Sequence, residues 1–548
     1  MGKRIFGSVV GAVGLLLSAL GCNGSDASIP EVEQHIRQPF TSVEATLLDF
    51  DFDSEVIADG PWATYQAIYD QLYYTVGSLN ARRSVGRFVR LELSNVVSTP
   101  LPDGRSRVGY HAHLPVAWGE LTQAPVTFAF TLPRSAANGD LDTFTAKYGT
   151  TCVDAAAHDI NRWSMWYYYR PSEVACALDP ADVITLTATV APSPEVTTGK
   201  YPEYGQVWAD DVLEVVAIFG KNDETATLNS DDGIQEYNAL VRLLKQELAP
   251  FGLTSSPPGV SNTPGAGTPE VVLQARLADG KSVKITLLLV SKLETEGAAF
   301  ESRFEELTPT ADAILYNGHA GLGANVRSLL GRGAYVPGKY LLLLVNGCDT
   351  FAYTDRTLVD RRALLNPDDP EGRRYLDVVT NAMPSYFSAL ATDSLAVVRA
   401  LLSVARPKTF DQILASFDAD QVAVVTGEED NEFVPGMPIG SVQPSPPFTF
   451  DAGGSVTRNA ADDYVTNILP AGRYTVDLAP GPLAPGGDAD LYVRVGQAPT
   501  LTTWDCRPYT NGSRETCAVT LPTPSAIFVK VVGYASGSNA YTLHLESQ

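Results

Sequence analysis

The central fold of this chain is decided by the apolar run YLLLLVNGC at residues 340–348. Its uninterrupted hydrophobicity predicts a strand buried on both faces, which ends in a tight turn that presents the thiol of Cys348. Upstream, the stretch ADAILYNGHAG at residues 311–321 predicts a second buried strand, which ends at His319. A thiol and an imidazole at the ends of two successive strands form the minimal apparatus of a cysteine nucleophile, so the sequence places its candidate site here.

Strand and helix signals alternate around these two runs, from residue 205 to residue 440. The segment VLEVVAIFG at 212–220 predicts a buried strand, and apolar residues at helical spacing follow over 233–248. Further elements are predicted as helices over 298–307 and 373–402 and as a last strand over 421–426. This alternation is typical of an α/β domain with a mostly parallel sheet, whose strand ends are the usual ligand site.

Two proline-rich boundaries separate this central domain from its neighbours. The first lies at 192–204 and contains three prolines. It closes a region, 41–200, that is predicted as an N-terminal α+β domain rich in strands, because period-two alternation recurs at 46–53, 87–93 and 126–132 and helical spacing appears over 62–79. The second boundary contains five prolines between residues 435 and 447. After it, short strands between Gly, Pro and Asp turns predict an all-β sandwich over 448–548.

The first residues predict export. Lys3 and Arg4 precede an apolar stretch at 9–20 that is too short to span a bilayer, and ALGC follows at 19–22. Residues 1–22 resemble a bacterial lipoprotein signal, with an ordinary secretory signal as the alternative. The resemblance implies lipidation of Cys22, a polar tether over 23–40 and a lipid anchor in the cell envelope. We expect an outer-membrane lipoprotein or a surface protein of a Gram-negative bacterium.

The overall composition limits the kinds of partner. A formal net charge of −24 argues against nucleic acid, because the phosphate backbone repels so acidic a surface. A hydrophobic fraction of 45% is ordinary for globular protein. The sequence leaves the oligomeric state open.

An exported chain is expected to oxidise its cysteines in pairs. Cys152 and Cys176 are predicted to form a disulfide that closes the segment with the aromatic cluster at 163–169. Exposed aromatics of this kind form a platform for a sugar or peptide, but core packing is the favoured interpretation, since alternate residues of a strand face opposite sides.

The last hundred residues contain several motifs in order: GDADLYV at 487–493, WDCRPY at 504–509, ETC at 515–517 and VVGY at 531–534. Together they resemble the bacterial pre-peptidase C-terminal domain. The resemblance implies a jelly-roll-like sandwich appended to secreted hydrolases, with a disulfide between Cys506 and Cys517. Some members bind calcium, for which Asp488 and Asp490 are the candidate ligands; turn formation is the favoured alternative for both.

With the other cysteines assigned, Cys348 remains as the free thiol. The order of strand, His loop, strand and Cys is similar to that of the caspase, gingipain, legumain and clostripain clan of cysteine peptidases, over about residues 210–440. The chain has His319-Ala320 where the clan has His-Gly, and Gly347-Cys348 where it has Ala-Cys. The resemblance implies Cys348 as nucleophile, His319 as general acid and the backbone N–H groups of Ala320 and Cys348 as the oxyanion site, with no cofactor required.

Acidic residues follow several predicted strand ends and suggest a preference for a basic side chain in the substrate; a solvated acidic loop or a calcium site are the alternatives. These residues are Asp349, Asp355, Glu428, Glu429 and Asp430. The leading hypothesis is a surface-anchored or secreted cysteine endopeptidase with a polypeptide substrate. The second is a catalytically inactive envelope lipoprotein that uses the same fold to bind protein or glycan. A third is a structural envelope protein in which Cys348 forms an intermolecular disulfide.

Overall fold

The structure, a computed structural model, describes residues 40–440, 448–470, 472–481, 487–522 and 524–547. The predicted signal with Cys22, and the tether over 23–40 except its last residue, lie outside these ranges. Two large sheets and a pair of smaller ones organise the described chain, which is therefore a multidomain protein. Among the described helices, none has the length and apolar character needed to cross a membrane.

The N-terminal sheet is built on two long antiparallel strands that pair along their whole length. In the first of them, Phe50 and Phe52 point into the core and Asp51 and Asp53 point away, as the alternation predicts. The strands are β1 (Phe40–Thr41), β2 (Thr46–Ala58), β3 (Val85–Gly86), β4 (Glu92–Pro100), β5 (Ser106–Trp118), β6 (Thr127–Pro133) and β7 (Val183–Pro192). The sheet order is β3-β5-β2-β7-β6, with β4 on the free edge of β5, while β1 joins the central sheet.

Four helices accompany this sheet: α1 (Thr64–Leu72), α2 (Tyr74–Asn80), α3 (Asp140–Tyr148) and α4 (Met165–Tyr168). The first two occupy the predicted helical region. The predicted strand over 87–93 is wrong, because the chain makes a single 3-10 turn at Phe88–Arg90 before β4 begins. The turn is closed by the N–H of Arg90, which donates to the carbonyl of Arg87. The aromatic segment likewise forms a short helix, and the structure pairs Cys152 with Cys176 as predicted.

The central sheet has nine strands in the order β1-β15-β14-β13-β12-β8-β11-β10-β9. Its middle is parallel, from β14 to β11, and β15 runs antiparallel at one side. The strands are β8 (Val212–Gly220), β9 (Thr254–Ser256), β10 (Glu270–Arg276), β11 (Ser282–Val290), β12 (Ala313–Asn317), β13 (Leu341–Asn346), β14 (Leu376–Asn381) and β15 (Ala423–Thr426). The predicted helices over 373–402 are wrong in their first part, where β14 packs between β13 and β15 with every residue buried.

Helices cover both faces of this sheet, so the domain has three layers, as an α/β pattern predicts. The helices are α5 (Tyr204–Val207), α6 (Asp232–Leu248), α7 (Ala298–Leu307), α8 (Ala324–Gly331), α9 (Thr350–Tyr353), α10 (Thr357–Leu365), α11 (Leu390–Leu402) and α12 (Phe410–Leu414). One face packs on α6, α11 and α12, and the other on α7 to α10. The N-terminal region joins the second core through residues such as Phe40 and Tyr167.

The C-terminal region is a sandwich of two antiparallel sheets, as predicted. One sheet has the order β16-β22-β18-β20 and the other β17-β21-β19. The strands are β16 (Thr449–Thr457), β17 (Ala461–Val465), β18 (Gly472–Pro480), β19 (Ala489–Val495), β20 (Glu515–Leu521), β21 (Ile527–Gly533) and β22 (Ser538–Ser547). Their inward residues, among them Leu491 and Leu543, form one core, and Cys506 is bonded to Cys517.

Candidate functional site

The loops of His319 and Cys348 leave the central sheet side by side. They follow β12 and β13, which are adjacent and parallel, and Asn317 is paired with Asn346 at the strand ends. The loop backbones touch, because a Cβ added to Gly347 would lie 2.6 Å from the carbonyl oxygen of Gly318. Only glycine fits position 347 at this separation. We call this end of the sheet the carboxyl edge.

The imidazole of His319 forms its hydrogen bonds with Asn222 and not with the thiol of Cys348. Its Nε2 lies 3.1 Å from Oδ1 and 3.2 Å from the backbone oxygen of Asn222, so Nε2–H donates to this residue. The ring also packs edge-on against Phe387, at 5.0 Å between centroids. Partial burial lowers the pKa of His319, which keeps the ring neutral near neutral pH.

The half-buried Cys348 lies between the N-terminal region and the loop that follows β14. Its Sγ accepts from the N–H of Ser385 at 3.4 Å and lies beside the hydroxyl of Tyr167 on α4. Burial, and then the neighbouring Asp349, raise the pKa of this thiol. A nucleophilic cysteine requires the opposite shift, since the thiolate is the reactive form. Within the described ranges, no hydrogen bond joins His319 to Cys348.

The five acidic residues predicted to bind substrate do not converge on Cys348. Asp349 is fully buried, and its Oδ2 accepts from Nδ2 of Asn80 at 3.1 Å. Glu428 is also fully buried, at the opposite edge of the sheet, where it accepts from Thr41 at 2.7 Å. Burial raises the pKa of both carboxyls to about 7. Groups so enclosed cannot contact a substrate side chain.

The other three acids also lie at the opposite edge. Glu429 forms an ion pair with Arg373, Asp430 lies in the same acidic turn, and Asp355 accepts the N–H of Thr357 at the start of α10. Of the five acidic residues, only Asp349 therefore lies at the carboxyl edge, and the other four lie at the opposite edge of the sheet.

The sequence interpretation missed a buried polar network beneath the two loops. Three neighbouring strands, β12, β13 and β14, each end in an asparagine that is at most 1% exposed. Oδ1 of Asn346 accepts from Nδ2 of Asn381 at 2.7 Å, and its Nδ2 donates to Asp393 at 3.2 Å. Burial raises the pKa of Asp393 to about 7. Asn317 and Asn346, at the ends of two predicted strands, were the signal available in the sequence, whereas Asn381 lay in a segment predicted as a helix.

A cluster of aromatic side chains around one arginine lies on the C-terminal sandwich. The guanidinium carbon of Arg507 is 4.0 Å from the ring centre of Tyr509, 4.6 Å from that of Tyr492 and 5.5 Å from that of Trp504. Its Nη2 also donates to Asp490 at 3.1 Å. Tyr509 is 62% exposed and Trp504 is 36% exposed. We call these four residues, Tyr492, Trp504, Arg507 and Tyr509, the aromatic patch.

The predicted calcium ligands do not fit a metal site. Asp490 is engaged with Arg507, and Oδ1 of Asp488 accepts the N–H of Gly512 at 2.9 Å. Across the described part of the chain, no group of three or more His, Cys, Asp or Glu side chains is placed to hold a metal ion. Calcium binding at Asp488 and Asp490 therefore stays a prediction that these contacts do not support.

Residues 448–533 match the family model of the bacterial pre-peptidase C-terminal domain. The chain is similar to a zinc metalloprotease of Helicobacter pylori, with 36% identity over 110 residues, which are 20% of this chain and 40% of the relative. It is similar to a hemagglutinin/proteinase of Vibrio cholerae, with 36% identity over 20% of this chain and 17% of the relative. Alkaline serine exoprotease A of Vibrio alginolyticus is 40% identical over 14% of this chain and 13% of the relative.

Among solved structures, the pre-peptidase C-terminal domain of a Bacillus anthracis collagenase is similar at 15% identity, over 18% of this chain and 88% of that chain, with a TM-score of 0.15. The chain thus spans less than half the length of each of these curated relatives. The pre-peptidase C-terminal domain is present in this protein, as predicted from its motifs.

The prediction of a cysteine peptidase with a Cys348–His319 dyad is wrong. The relatives include proteins named as metalloproteases and one named as a serine exoprotease, and none of these names is that of a cysteine peptidase. The geometry agrees with this correction, because the Cys348 thiol is held protonated and His319 is bonded to Asn222.

Proposed function

We propose that this chain is an exported protein that acts on polypeptides outside the cytoplasm, and that its C-terminal domain is the module that docks the polypeptide. The proposal is supported by the shared domain, since relatives that carry it are named as proteases. The single observation that carries it is the aromatic patch around Arg507.

The patch is suited to binding an extended chain. Arg507 is held among three rings and is tied to Asp490, so the rings keep their positions without a bound ligand. Exposed tyrosine and tryptophan supply large contact area at a low cost in side-chain entropy. A rigid aromatic surface beside a cation suits the flat peptide groups and proline rings of a polypeptide.

The binding experiment uses the full chain and immobilised gelatin and casein as probes. Tyr509→Ala is expected to raise the Kd by roughly tenfold, which is typical for removing an aromatic anchor. Tyr534→Ala is the matched control, because Tyr534 is a 56% exposed tyrosine of the same domain and is not one of the three rings that Arg507 contacts in the described part of the chain. Unchanged affinity in Tyr509→Ala, or an equal loss in Tyr534→Ala, contradicts the proposal.

The central domain is proposed as the scaffold that accompanies this docking module. We infer that residues 205–440 have a caspase-like architecture, supported by a His loop and a Cys loop that follow adjacent parallel strands next to an antiparallel β15. The limits of the flanking domains, 41–200 and 448–548, are part of the same proposal. Limited proteolysis of the full chain is expected to cut first near residues 192–204 and 435–447.

We further propose that the protein is anchored in the cell envelope through a lipid on Cys22. The experiment is metabolic labelling with a palmitate analogue in an expressing bacterium. The wild-type chain is expected to be labelled and Cys22→Ser is expected to be unlabelled and released. Equal labelling of the two, or none in the wild type, contradicts anchoring through this residue.

A further inference from the structure

Aromatic side chains lie on the outer face of α1 in the N-terminal region. The inner face of this helix, which includes Ile68 and Leu72, is buried. Tyr65, Tyr69 and Tyr73 follow one another at four-residue spacing on the outer side, from the first turn of α1 to the residue after its end. A helix face that meets solvent ordinarily has charged or small polar residues at such positions, so this face is suited to a partner.

The aromatic segment at 163–169, for which core packing and a binding platform were both considered, contains residues of both kinds. Tyr167 and Tyr169 are buried and belong to the core. Trp163 is 66% exposed, which is more than the 60% of Tyr65 on α1. The platform interpretation therefore applies to the start of this segment and not to its end.

The segment and the helix form one continuous surface. Trp166 on α4 packs against Tyr73 with 5.1 Å between the ring centroids, and its Nε1–H donates to the carbonyl of Trp163 at 2.7 Å. We call the following five residues the aromatic row: Tyr65, Tyr69, Tyr73, Trp163 and Trp166.

The exposed end of the row is held in position without a ligand. Arg162 lies over the Trp163 ring, with its guanidinium carbon 4.3 Å from the ring centre, and forms an ion pair with Asp142 at 3.2 Å. The disulfide between Cys152 and Cys176 closes the segment that contains them. Because the ring is placed before binding, little side-chain entropy is lost when a ligand contacts it.

The polar groups that the row offers to a ligand are mainly donors. Asp70, the carboxylate on the same side of α1, accepts from Nε2 of Gln66 at 2.8 Å and is attracted by Arg162. In the part of the chain that the structure describes, the indole N–H of Trp163 and the hydroxyl of Tyr65 have no hydrogen-bond partner. A ligand rich in acceptors therefore suits this surface.

We propose that the aromatic row binds a proline-rich polypeptide segment in the polyproline II conformation. Such a segment has no internal hydrogen bonds, and each proline has a carbonyl but no N–H, so the segment requires donors from its partner. Its rings dock on aromatic surfaces, and its conformation exists before binding. Tyr65 and Tyr73 are about 12 Å apart along the helix axis, a length that about four residues of polyproline II span.

Charge and hydrogen-bonding chemistry favour this ligand over a membrane or a glycan. The net charge of −24 opposes an anionic membrane surface. The hydroxyl groups of a glycan donate as well as accept, and the carboxylates beside the row are already bonded to Gln66 and Arg162. The inference rests on the proposed action on polypeptides, but it concerns a second surface, on a different domain from the aromatic patch.

The test is calorimetric titration of the full chain that carries Tyr509→Ala, so that the aromatic patch does not contribute. N-acetyl-octaproline-amide is the probe, and a glycine-serine peptide of equal length, which is flexible and has free N–H groups, is the control. Octaproline is expected to bind saturably and the control to bind at least roughly tenfold more weakly. Chitohexaose and phosphatidylglycerol vesicles are expected not to bind.

Further substitutions in this background assign the binding to the row. Trp163→Ala and Tyr65→Ala are each expected to weaken octaproline binding by roughly tenfold, as for an aromatic anchor. Tyr65→Phe keeps the ring and removes the O–H donor, so a smaller loss of roughly threefold is expected. Tyr534→Ala, at an exposed tyrosine of the C-terminal sandwich, is the control and is expected to leave the Kd unchanged.

The inference is overturned if octaproline does not bind in the Tyr509→Ala background, or if the glycine-serine peptide binds equally well. It is also overturned if the affinity for octaproline is unchanged in both Trp163→Ala and Tyr65→Ala. Binding of chitohexaose or of the vesicles in place of octaproline assigns the row to a glycan or a membrane. Docking at the aromatic patch is judged separately, by casein binding of the wild-type chain and Tyr509→Ala, so either proposal can fail alone.

Discussion

The carboxyl edge of the central sheet and the aromatic patch of the C-terminal sandwich both contain side chains of types that react or bind ligands. The two regions differ in whether those side chains are exposed and ionised. At the edge, Asp349 is fully buried and the Cys348 thiol has a raised pKa. On the patch, Tyr509 is 62% exposed and Arg507 is already ion-paired. The difference shows that residue identity suggests a chemistry, whereas exposure and ionisation decide whether it is available.

The largest effect is expected from replacing Arg507, which contacts all three rings of the aromatic patch. Arg507→Ala separates three rings and leaves Asp490, which is 5% exposed, without its partner. Binding to casein is expected to fall by roughly a hundredfold, and the sandwich is expected to lose about 2–3 kcal/mol of stability. Affinity measurements and urea unfolding check the two effects separately. Arg473→Ala, an exposed arginine on β18, is the control and is expected to change neither.

A loss of stability without a loss of binding is expected when the buried hydrogen-bond network of the carboxyl edge is disrupted. Asn346→Ala leaves Asn381 and Asp393 without their shared partner, so we expect about 2 kcal/mol of destabilisation with no change in polypeptide binding by the patch. Asn138→Ala, at an exposed asparagine, is expected to stay within about 0.5 kcal/mol of wild type. A fall in affinity that parallels the fall in stability would show that the two regions are coupled.

The buried carboxyl of Asp349 predicts that the stability of the central sheet depends on pH. Burial raises the pKa of Asp349 to about 7, so the folded protein binds more protons than the unfolded chain from about pH 4 to pH 7. Its contribution to the free energy of unfolding is present at low pH and is lost as the pH rises through that window. Asp349→Asn keeps the shape and tolerates the left-handed φ of 52°.

This variant is expected to flatten the pH dependence and to be more stable than wild type at pH 8, measured by thermal unfolding at a series of pH values. A variant whose pH dependence is the same as that of wild type would mean that the Asp349 carboxyl is already ionised in the folded protein.

The smallest effect is expected at the thiol. Cys348→Ala is predicted to leave any activity on casein unchanged, and iodoacetamide is predicted to label the native thiol more slowly than a free cysteine at pH 7. Mass spectrometry of native and urea-unfolded protein measures the labelling, and the unfolded chain provides the fully reactive reference. Rapid labelling of the native protein would contradict this and would show that the Cys348 thiol is accessible and reactive.

Much of the fold could be predicted from the spacing of apolar residues along the chain, because each such pattern is supported by many residues. The buried strand ending at Asn346, the helix α6 and the C-terminal sandwich were all readable in this way. The strand β14 was missed, since its short apolar run is compatible with a buried helix or a buried strand. Its assignment depends on pairing with β13 and β15, which lie far away in sequence.

The site was less predictable because its character depends on residues that the folded chain brings from a distance. The two loops are neighbours, as strand order implies, yet burial raises the pKa of both Cys348 and Asp349, and the residues around them come from far away in sequence, such as Tyr167 and Asn80, which is 269 positions upstream of Asp349.

The most direct test of the account is a side-by-side measurement of casein binding and casein hydrolysis by the full chain, Tyr509→Ala and Cys348→Ala. We predict that Tyr509→Ala binds roughly tenfold more weakly and that Cys348→Ala matches wild type in both assays. The account is contradicted if Cys348→Ala abolishes hydrolysis while Tyr509→Ala binds and acts like the wild-type protein.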